Sequence, residues 1–150
     1  MRLLVAIDGS TPSVNALTYA LDLADATEGS VTAVHAVDPA VYETTGEDPG
    51  GGPQERADRI VVESETDAEE RGERVLDDAL ARADAAGYEI PVETELLHGD
   101  PREVVPELAS EGYDGLVVGH RGLSERQERV LGSVAKSFVE RTRVPVTVVG

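Results

Sequence analysis

A phosphate-binding loop needs a main chain that turns tightly and comes close to an anion. The glycines of residues 119–133 have the spacing for it. Gly119, Gly122 and the pair Gly132-Ser133 are separated by two and nine residues, in the run Gly-His-Arg-Gly-Leu-Ser-Glu-Arg-Gln-Glu-Arg-Val-Leu-Gly-Ser. Glycine carries no side chain to hold a ligand off the backbone. The apolar run Leu116-Val117-Val118 before the first glycine reads as a buried strand, and Val134, Ala135, Phe138 and Val139 after the last recur at helical spacing. A helix beginning there offers N–H groups and the positive end of its dipole to an anion. Strand, glycine turn and helix start together make a phosphate cradle.

The other residues of this stretch each carry two readings. Arg121 has a planar fork suited to phosphate, or is a surface charge in a chain short of cations. Ser124 can donate to a phosphate oxygen, and Ser133 is read as the N-cap of the following helix. His120 shows no metal-ligand spacing with His35 or His98. Glu125 and Glu128 lie inside the nine-residue spacer, where they either repel a triphosphate or belong to the acidic surface, with Arg126 and Arg129 to offset them. Asp8, at the end of the first apolar run, is a ligand-facing carboxylate or a local cap, although Ser10 and Thr11 stand closer to the helix that follows.

Positioning these groups requires an alternating α/β frame. Leu3 to Ile7 is apolar without alternation, as in a strand buried on both faces. Thr11 is expected to cap a helix with Pro12 at its first position, carried by Ala16, Leu17, Ala20, Leu21 and Ala24 and stopped by Gly29. Val31 to Val37 is the second strand, so the first elements form a βαβ unit with parallel strands. Residues 38–52 read as a loop, and Pro53 as the start of a helix with an apolar stripe running to Gly87. Val92 to Leu97 alternates as an edge strand does. Asp100 caps a helix beginning at Pro101 that Pro106 should kink or shorten. Asp114 to Gly119, Ser133 to Arg141 and Pro145 to Val149 supply a strand, a helix and the last strand. Five strands alternating with four helices predict an open, mostly parallel sheet covered on both sides. The pattern alone does not separate strand order 3-2-1-4-5 from 2-1-3-4-5.

Composition bounds the function. At 150 residues with 40% apolar content the chain is a single domain, 1–150, with a sizeable core. No secretory leader follows Met1, and no run approaches the roughly 18 apolar residues of a membrane span. A soluble, cytoplasmic protein is expected. The absence of cysteine excludes disulfides and thiolate metal sites. Thirty acidic residues against thirteen basic ones give a net charge of −17 that disfavours nucleic acid and anionic membranes. Acidic excess, with Lys136 the one lysine and aromatics at 3%, resembles proteins of salt-loving cytoplasms such as those of halophilic archaea. No Gly-x4-Gly-Lys-Ser/Thr occurs, and no Ser–His–Asp grouping can be assembled for catalysis.

Gly119-x2-Gly122-x9-Gly132-Ser133 resembles the nucleotide-binding signature of the ATP-binding branch of the universal stress protein family. The resemblance extends from Leu3 to Val149 and is weakest between Asp38 and Ser64. It implies strand order 3-2-1-4-5, which puts Asp8 and Gly119 at neighbouring strand ends. It also implies a regulatory module that holds ATP with Mg2+ and is not a strong catalyst. Asp8 would lie beside the ribose or a nucleotide-bound Mg2+. The backbones of Ala6 and Ala36 would line the adenine pocket. Gly119, His120, Arg121 and Gly122 would wrap ribose and phosphates, with Ser124, Gly132, Ser133 and Val134 completing the site. A homodimer through residues 145–149 and a signalling partner of unknown identity are the implied associations. A non-binding dimeric scaffold of the same fold and a slow ATPase remain alternatives. A phosphoryl-accepting receiver domain is disfavoured, because the one lysine sits in the last helix instead of following strand five.

Overall fold

The computed structural model describes the backbone of residues 1–38, 54–120 and 132–150, with side chains over the same ranges except 54–65. The loop expected after Asp38 and the helix start at Pro53 lie outside the described residues. In chain order the elements are β1 (Arg2–Ala6), α1 (Thr11–Ala26), β2 (Ser30–Val37), α2 (Gln54–Ala86), β3 (Val92–His98), α3 (Pro101–Ala109), β4 (Gly115–Gly119), α4 (Ser133–Arg141) and β5 (Val146–Val149). The strands form one sheet in the order β3-β2-β1-β4-β5. Every pairing is parallel; in the middle, Leu4 registers with Thr32 on one side and Leu116 on the other. The order reverses between β1 and β4, and at such a point the loops leaving the carboxyl ends diverge and open a crevice.

The unbroken apolar character of β1 has the expected cause. Leu3, Val5 and Ile7 pack with Leu17, Leu21 and Leu76 under α1 and α2, while Leu4 packs with Val105, Leu116 and Phe138 under α3 and α4. Alanines at 16, 20 and 24, all fully buried, let α1 lie close on the sheet. Gly119 lets it lie closer still, since a Cβ there would stand 2.5 Å from the carbonyl carbon and oxygen of Pro12.

Several helix ends differ from expectation. Ser10, not Thr11, caps α1: its hydroxyl accepts the Ser13 N–H at 3.3 Å, leaving Thr11 and Pro12 in the first turn. The left-handed residue that ends α1 is Glu28, at φ 54°, not Gly29. Gly29 is needed for a different reason, because a side chain there would collide with the backbone of Met1. Ser30 then donates to the Met1 carbonyl at 2.9 Å as β2 begins. Gly87, at φ 81°, does end α2 as expected.

Pro106 sits in the sixth position of a nine-residue helix. Lacking an N–H, it leaves the Arg102 carbonyl without its intrahelical partner. Arg141, in the last turn of α4, approaches that carbonyl with a guanidinium N–H at 3.4 Å. The break in α3 is thereby used to join α3 to α4. At the amino edge of the sheet, the Arg2 guanidinium lies 4.3 Å from the Tyr113 ring centre and donates to the carbonyls of Glu111 and Gly112. This fixes the start of β1 against the turn into β4.

Candidate functional site

β1 gives way to the turn Asp8-Gly9-Ser10, in which Gly9 takes a φ of 83° that a side chain would resist. The Asp8 carboxylate accepts the Ser10 N–H at 2.9 Å, and the Asp8 N–H donates to the Ser13 hydroxyl at 3.3 Å. That hydroxyl donates in turn to the Ser10 carbonyl at 2.9 Å. One carboxylate oxygen of Asp8 is therefore occupied by its own turn, and the network fixes where the group stands.

Above the carboxyl ends of β1, β2 and β4, on the side of α3 and α4, lies a cavity of about 750 Å³. That is within the range of small-molecule sites, roughly 300–1,000 Å³. Val34, Val105, Val118, Pro101 and Phe138 give it an apolar wall. Asp8, Ser10 and Ser13 border it on one side, and Gly132 and Ser133 on another. Among the described residues that border it, Asp8 is the one carboxylate and none is lysine or arginine. Positive potential comes instead from the start of α4.

That start differs from the sequence reading. Gly132 is the N-cap, extended at φ −57° and ψ 153°, and its carbonyl accepts the Lys136 N–H at 2.9 Å. Ser133 is the first helical residue and not the cap, and among the described residues no side chain caps the helix. The reason is geometric. The chain enters the first turn directly from the glycine, so Ser133 already has helical torsions and its hydroxyl cannot reach back over the turn it begins.

Of the residues singled out from sequence, Ala6, Asp8, Ala36, Gly119, Gly132, Ser133 and Val134 border this one cavity. His120 follows Gly119 but does not border it; its N–H donates to the Val149 carbonyl at 2.6 Å, extending the β4–β5 ladder. Arg121, Gly122, Ser124, Glu125 and Glu128 lie outside the described residues. The two flanking glycines of the motif have different surroundings. Gly119 is pressed against Pro12, whereas no described atom lies within 4 Å of where a Cβ would stand on Gly132.

Ala36 contributes through its backbone. The Val34 carbonyl accepts from Ile7 on the β1 side, and the Val37 carbonyl accepts from Gly99 on the β3 side, both at 2.9 Å. Polar groups alternate sides along a strand, so those of Ala36 turn toward β1. The registered pairing of β1 ends at Ala6 with Val34, and Ala36 lies beyond it. Its donor and acceptor therefore face the cavity edge side by side.

At the α3 end of the cavity, Asp100 caps the helix by accepting the Arg102 N–H at 2.9 Å, while the Arg102 guanidinium folds back to bond the same carboxylate at 2.8 Å. The hydrogen bond from the Arg102 side chain holds the Asp100 carboxyl below its ordinary pKa, against a smaller opposing effect of desolvation.

Sequence reading did not assign the apolar wall to the site. Val34, Val105, Val118 and Phe138 have the spacing of ordinary core, and a side chain facing a cavity has the same periodicity as one facing a neighbour. A usable signal is Phe138, the one phenylalanine of the chain, about one and a half helical turns after Gly132-Ser133 in a helix otherwise poor in bulky groups.

A model of the universal stress protein family matches residues 1–150. The universal stress protein YxiE of Bacillus subtilis is 30% identical over 149 residues, which are 99% of this chain and 97% of that protein. A crystal structure of a universal stress protein in complex with cAMP is 28% identical, with a TM-score of 0.66 over 100% of this chain and 96% of the other. The universal stress protein UspA from Lactobacillus plantarum, at 21% identity, shares the fold with a TM-score of 0.76 over 100% of this chain and 97% of its own.

Proposed function

The chain belongs to the universal stress protein family, and from that premise we propose that it binds an adenine nucleotide in the cavity beside Asp8. The observation that carries the reading is the meeting of three unlike surfaces in one space. They are an apolar wall for a flat ring, the Asp8 carboxylate, and a helix start whose N-cap is a glycine. The cAMP bound by a structure 28% identical to this chain supports the same ligand class. Ala36 offers one donor and one acceptor in sequence, which suits the N1 acceptor and N6 donor of adenine and opposes the reversed order on guanine. Asp8 accepts from ribose hydroxyls, and the first turn of α4 receives the phosphates with the glycine loop. The role is regulatory binding, with nucleotide occupancy passed to a signalling partner, in a salt-rich cytoplasm that suits the net charge of −17.

ATP with Mg2+ is the fullest form of the ligand. Among the described residues no group of three or more His, Cys, Asp or Glu is arranged to hold a metal ion. A single carboxylate, Asp8, fits an ion that arrives on the phosphates, which supply its remaining oxygen ligands. Bound there, Mg2+ would neutralise phosphate charge beside an acidic chain.

Calorimetry with AMP, ATP and ATP plus Mg2+, together with mass spectrometry of small molecules released on denaturation, tests the reading. Binding of AMP or ATP that is lost in Gly132→Val is expected. Parent protein that binds neither, and releases neither, sinks it. ADP formed during the titration would convert the reading to a slow ATPase.

A second reading, of association, rests on the sheet edge. β5 is an outer strand paired with β4 alone, and Val146 to Val149 are half-buried and carry no charge. Such an edge invites a second chain. We propose a homodimer in which β5 meets its copy about a twofold axis. Light scattering across a KCl series should give a dimer, with Thr147→Pro or Val148→Pro monomeric and the parent melting temperature climbing through the molar range. A monomeric parent removes the interface, and a flat melting temperature removes the salt adaptation.

A further inference from the structure

β2 alternates its side chains between the two faces of the sheet. Ala33 packs under α1 and α2, and Val34 packs under α3 and α4. His35 falls in phase with Ala33, and its ring lies where α2 crosses. A Cβ added to Gly72 in the middle of α2 would stand 2.8 Å from the His35 Cδ2 and 2.9 Å from the Leu96 Cδ1. A helix-interior glycine costs about 1 kcal/mol relative to alanine, so this position gives up helix stability to admit the imidazole.

What the imidazole does there is specific. Its Nδ1 lies 2.8 Å from the Ile7 carbonyl oxygen. A carbonyl oxygen only accepts, so Nδ1 carries the proton and donates. The Ile7–Asp8 peptide is thus held at both ends. His35 takes its C=O from the α2 side, and the Ser13 hydroxyl, on a residue only 4% exposed, takes its N–H. This peptide is the last rigid unit before the Asp8 Cα. Its plane sets the direction in which the carboxylate leaves the turn.

We infer that His35, a residue that borders the cavity while its ring packs toward α2, is a positioning residue for Asp8: its Nδ1–H fixes the peptide that aims the carboxylate into the nucleotide cavity. The inference rests on the reading of Asp8 as a nucleotide-facing group. Through Gly72, the seat of α2 becomes part of the binding geometry, because displacing the ring releases the Ile7 carbonyl.

The first test needs no ligand and no substitution. Long-range ¹H–¹⁵N spectra of the full chain should show the Nδ1–H tautomer for His35 at neutral pH, and an Nε2–H tautomer overturns the inference. His35→Leu, which removes the donor, should shift the Asp8 and Ser10 amide signals, and His35→Asn, which keeps a donor near the Nδ1 position, should restore them. Unmoved amides in His35→Leu also overturn it. The second test is calorimetry with AMP. His35→Leu should weaken binding about three- to tenfold, the effect of one hydrogen bond. His35→Asn should recover most of that, and in an Asp8→Ala background His35→Leu should cost nothing further. An equal loss with and without Asp8 shows that His35 acts elsewhere. If the parent binds no AMP, the functional reading fails by itself, and the tautomer and the Asp8 amide still decide the inference.

Discussion

The two faces of this sheet are covered by helices of unequal length. On one side lie α1 with 16 residues and α2 with 33; on the other, α3 and α4 have nine each. At 1.5 Å per residue α1 is about 24 Å long, close to the roughly 26 Å of the eight-residue β2, while α3 and α4 reach only about 13–14 Å. The long helices close their face, and the cavity left there between α1 and α2 is only about 50 Å³. Among the described residues the short helices do not extend over the carboxyl ends of the strands, and there the cavity of about 750 Å³ opens. The site is thus a consequence of where helices stop. One sheet carries a closed core on one face and a cavity on the other.

The two glycines that flank the loop both border the cavity, but Gly119 is also pressed against α1 of the closed face, and substituting each in turn is the severest way to break the comparison. Gly119→Val places a Cβ 2.5 Å from backbone atoms of Pro12, which cannot swing aside as a side chain would. The chain should lose about 4 kcal/mol or more, or fail to fold. Gly132→Val meets no described atom within 4 Å and has an ordinary φ of −57°, so it should cost only about 1 kcal/mol, the exchange of a good N-cap residue for a poor one, while nucleotide affinity falls at least about tenfold. Equal destabilisation by both would show that the loop glycines share one structural job.

How much of this was legible in the sequence follows the same division. The closed face was readable, since Ala16, Leu17, Ala20, Leu21 and Ala24 have helical spacing and all are buried. The strand order was not fixed by the pattern, because which strands neighbour each other depends on long-range pairing. Site residues at strand ends, Asp8, Ala36 and Gly119, were marked by the punctuation that ends a strand and by resemblance, and the structure brings them to one cavity. What escaped were caps and contacts across the chain. Serine and threonine side by side at 10 and 11 are equal in propensity, and only the torsions make Ser10 the cap. Ser133 looked like a cap because it precedes the apolar pattern, yet Gly132 already makes the first helical bond. His35 reaches Ile7 across 28 residues of sequence, a separation at which periodicity carries no information.

A milder comparison uses one large side chain from each core. Leu17 is 2% exposed beneath α1, and Phe138 is fully buried beneath α4 at the cavity wall. Leu17→Ala should cost about 3 kcal/mol and leave AMP affinity unchanged. Phe138→Ala should cost a similar amount but also weaken AMP binding, because it removes the wall against which a flat ring lies. Chemical denaturation and calorimetry on the same samples separate the two effects. A Leu17→Ala variant that loses affinity in step with stability would mean that the faces are not independent.

The smallest expected difference lies in the helix caps. Ser10, which itself borders the cavity, caps α1 with a hydroxyl that does not titrate, whereas Asp100 caps α3, whose Pro101 and Val105 border the same cavity. The Arg102 side chain depresses the Asp100 carboxyl pKa in the folded chain. The unfolded chain therefore binds a proton more readily. The stabilisation is fully present above the unfolded value, about 3.9 for aspartate, and is lost as pH falls through the depressed folded value. Many other carboxylates titrate in the same window, so the parent must be compared with Asp100→Asn, which keeps a capping oxygen and cannot titrate. Urea midpoints from pH 6 to 3 should show the parent ahead at pH 6 and the gap closing as the acid limit is approached. The amide signals of residues 101–105 should broaden or shift in acid more than those of 11–16, since of these two helices α3 is the one whose N-cap side chain titrates. Parallel midpoints across the whole range, or a first turn of α1 that yields more than that of α3, would show that the acid sensitivity of this fold is not concentrated at the Asp100 cap.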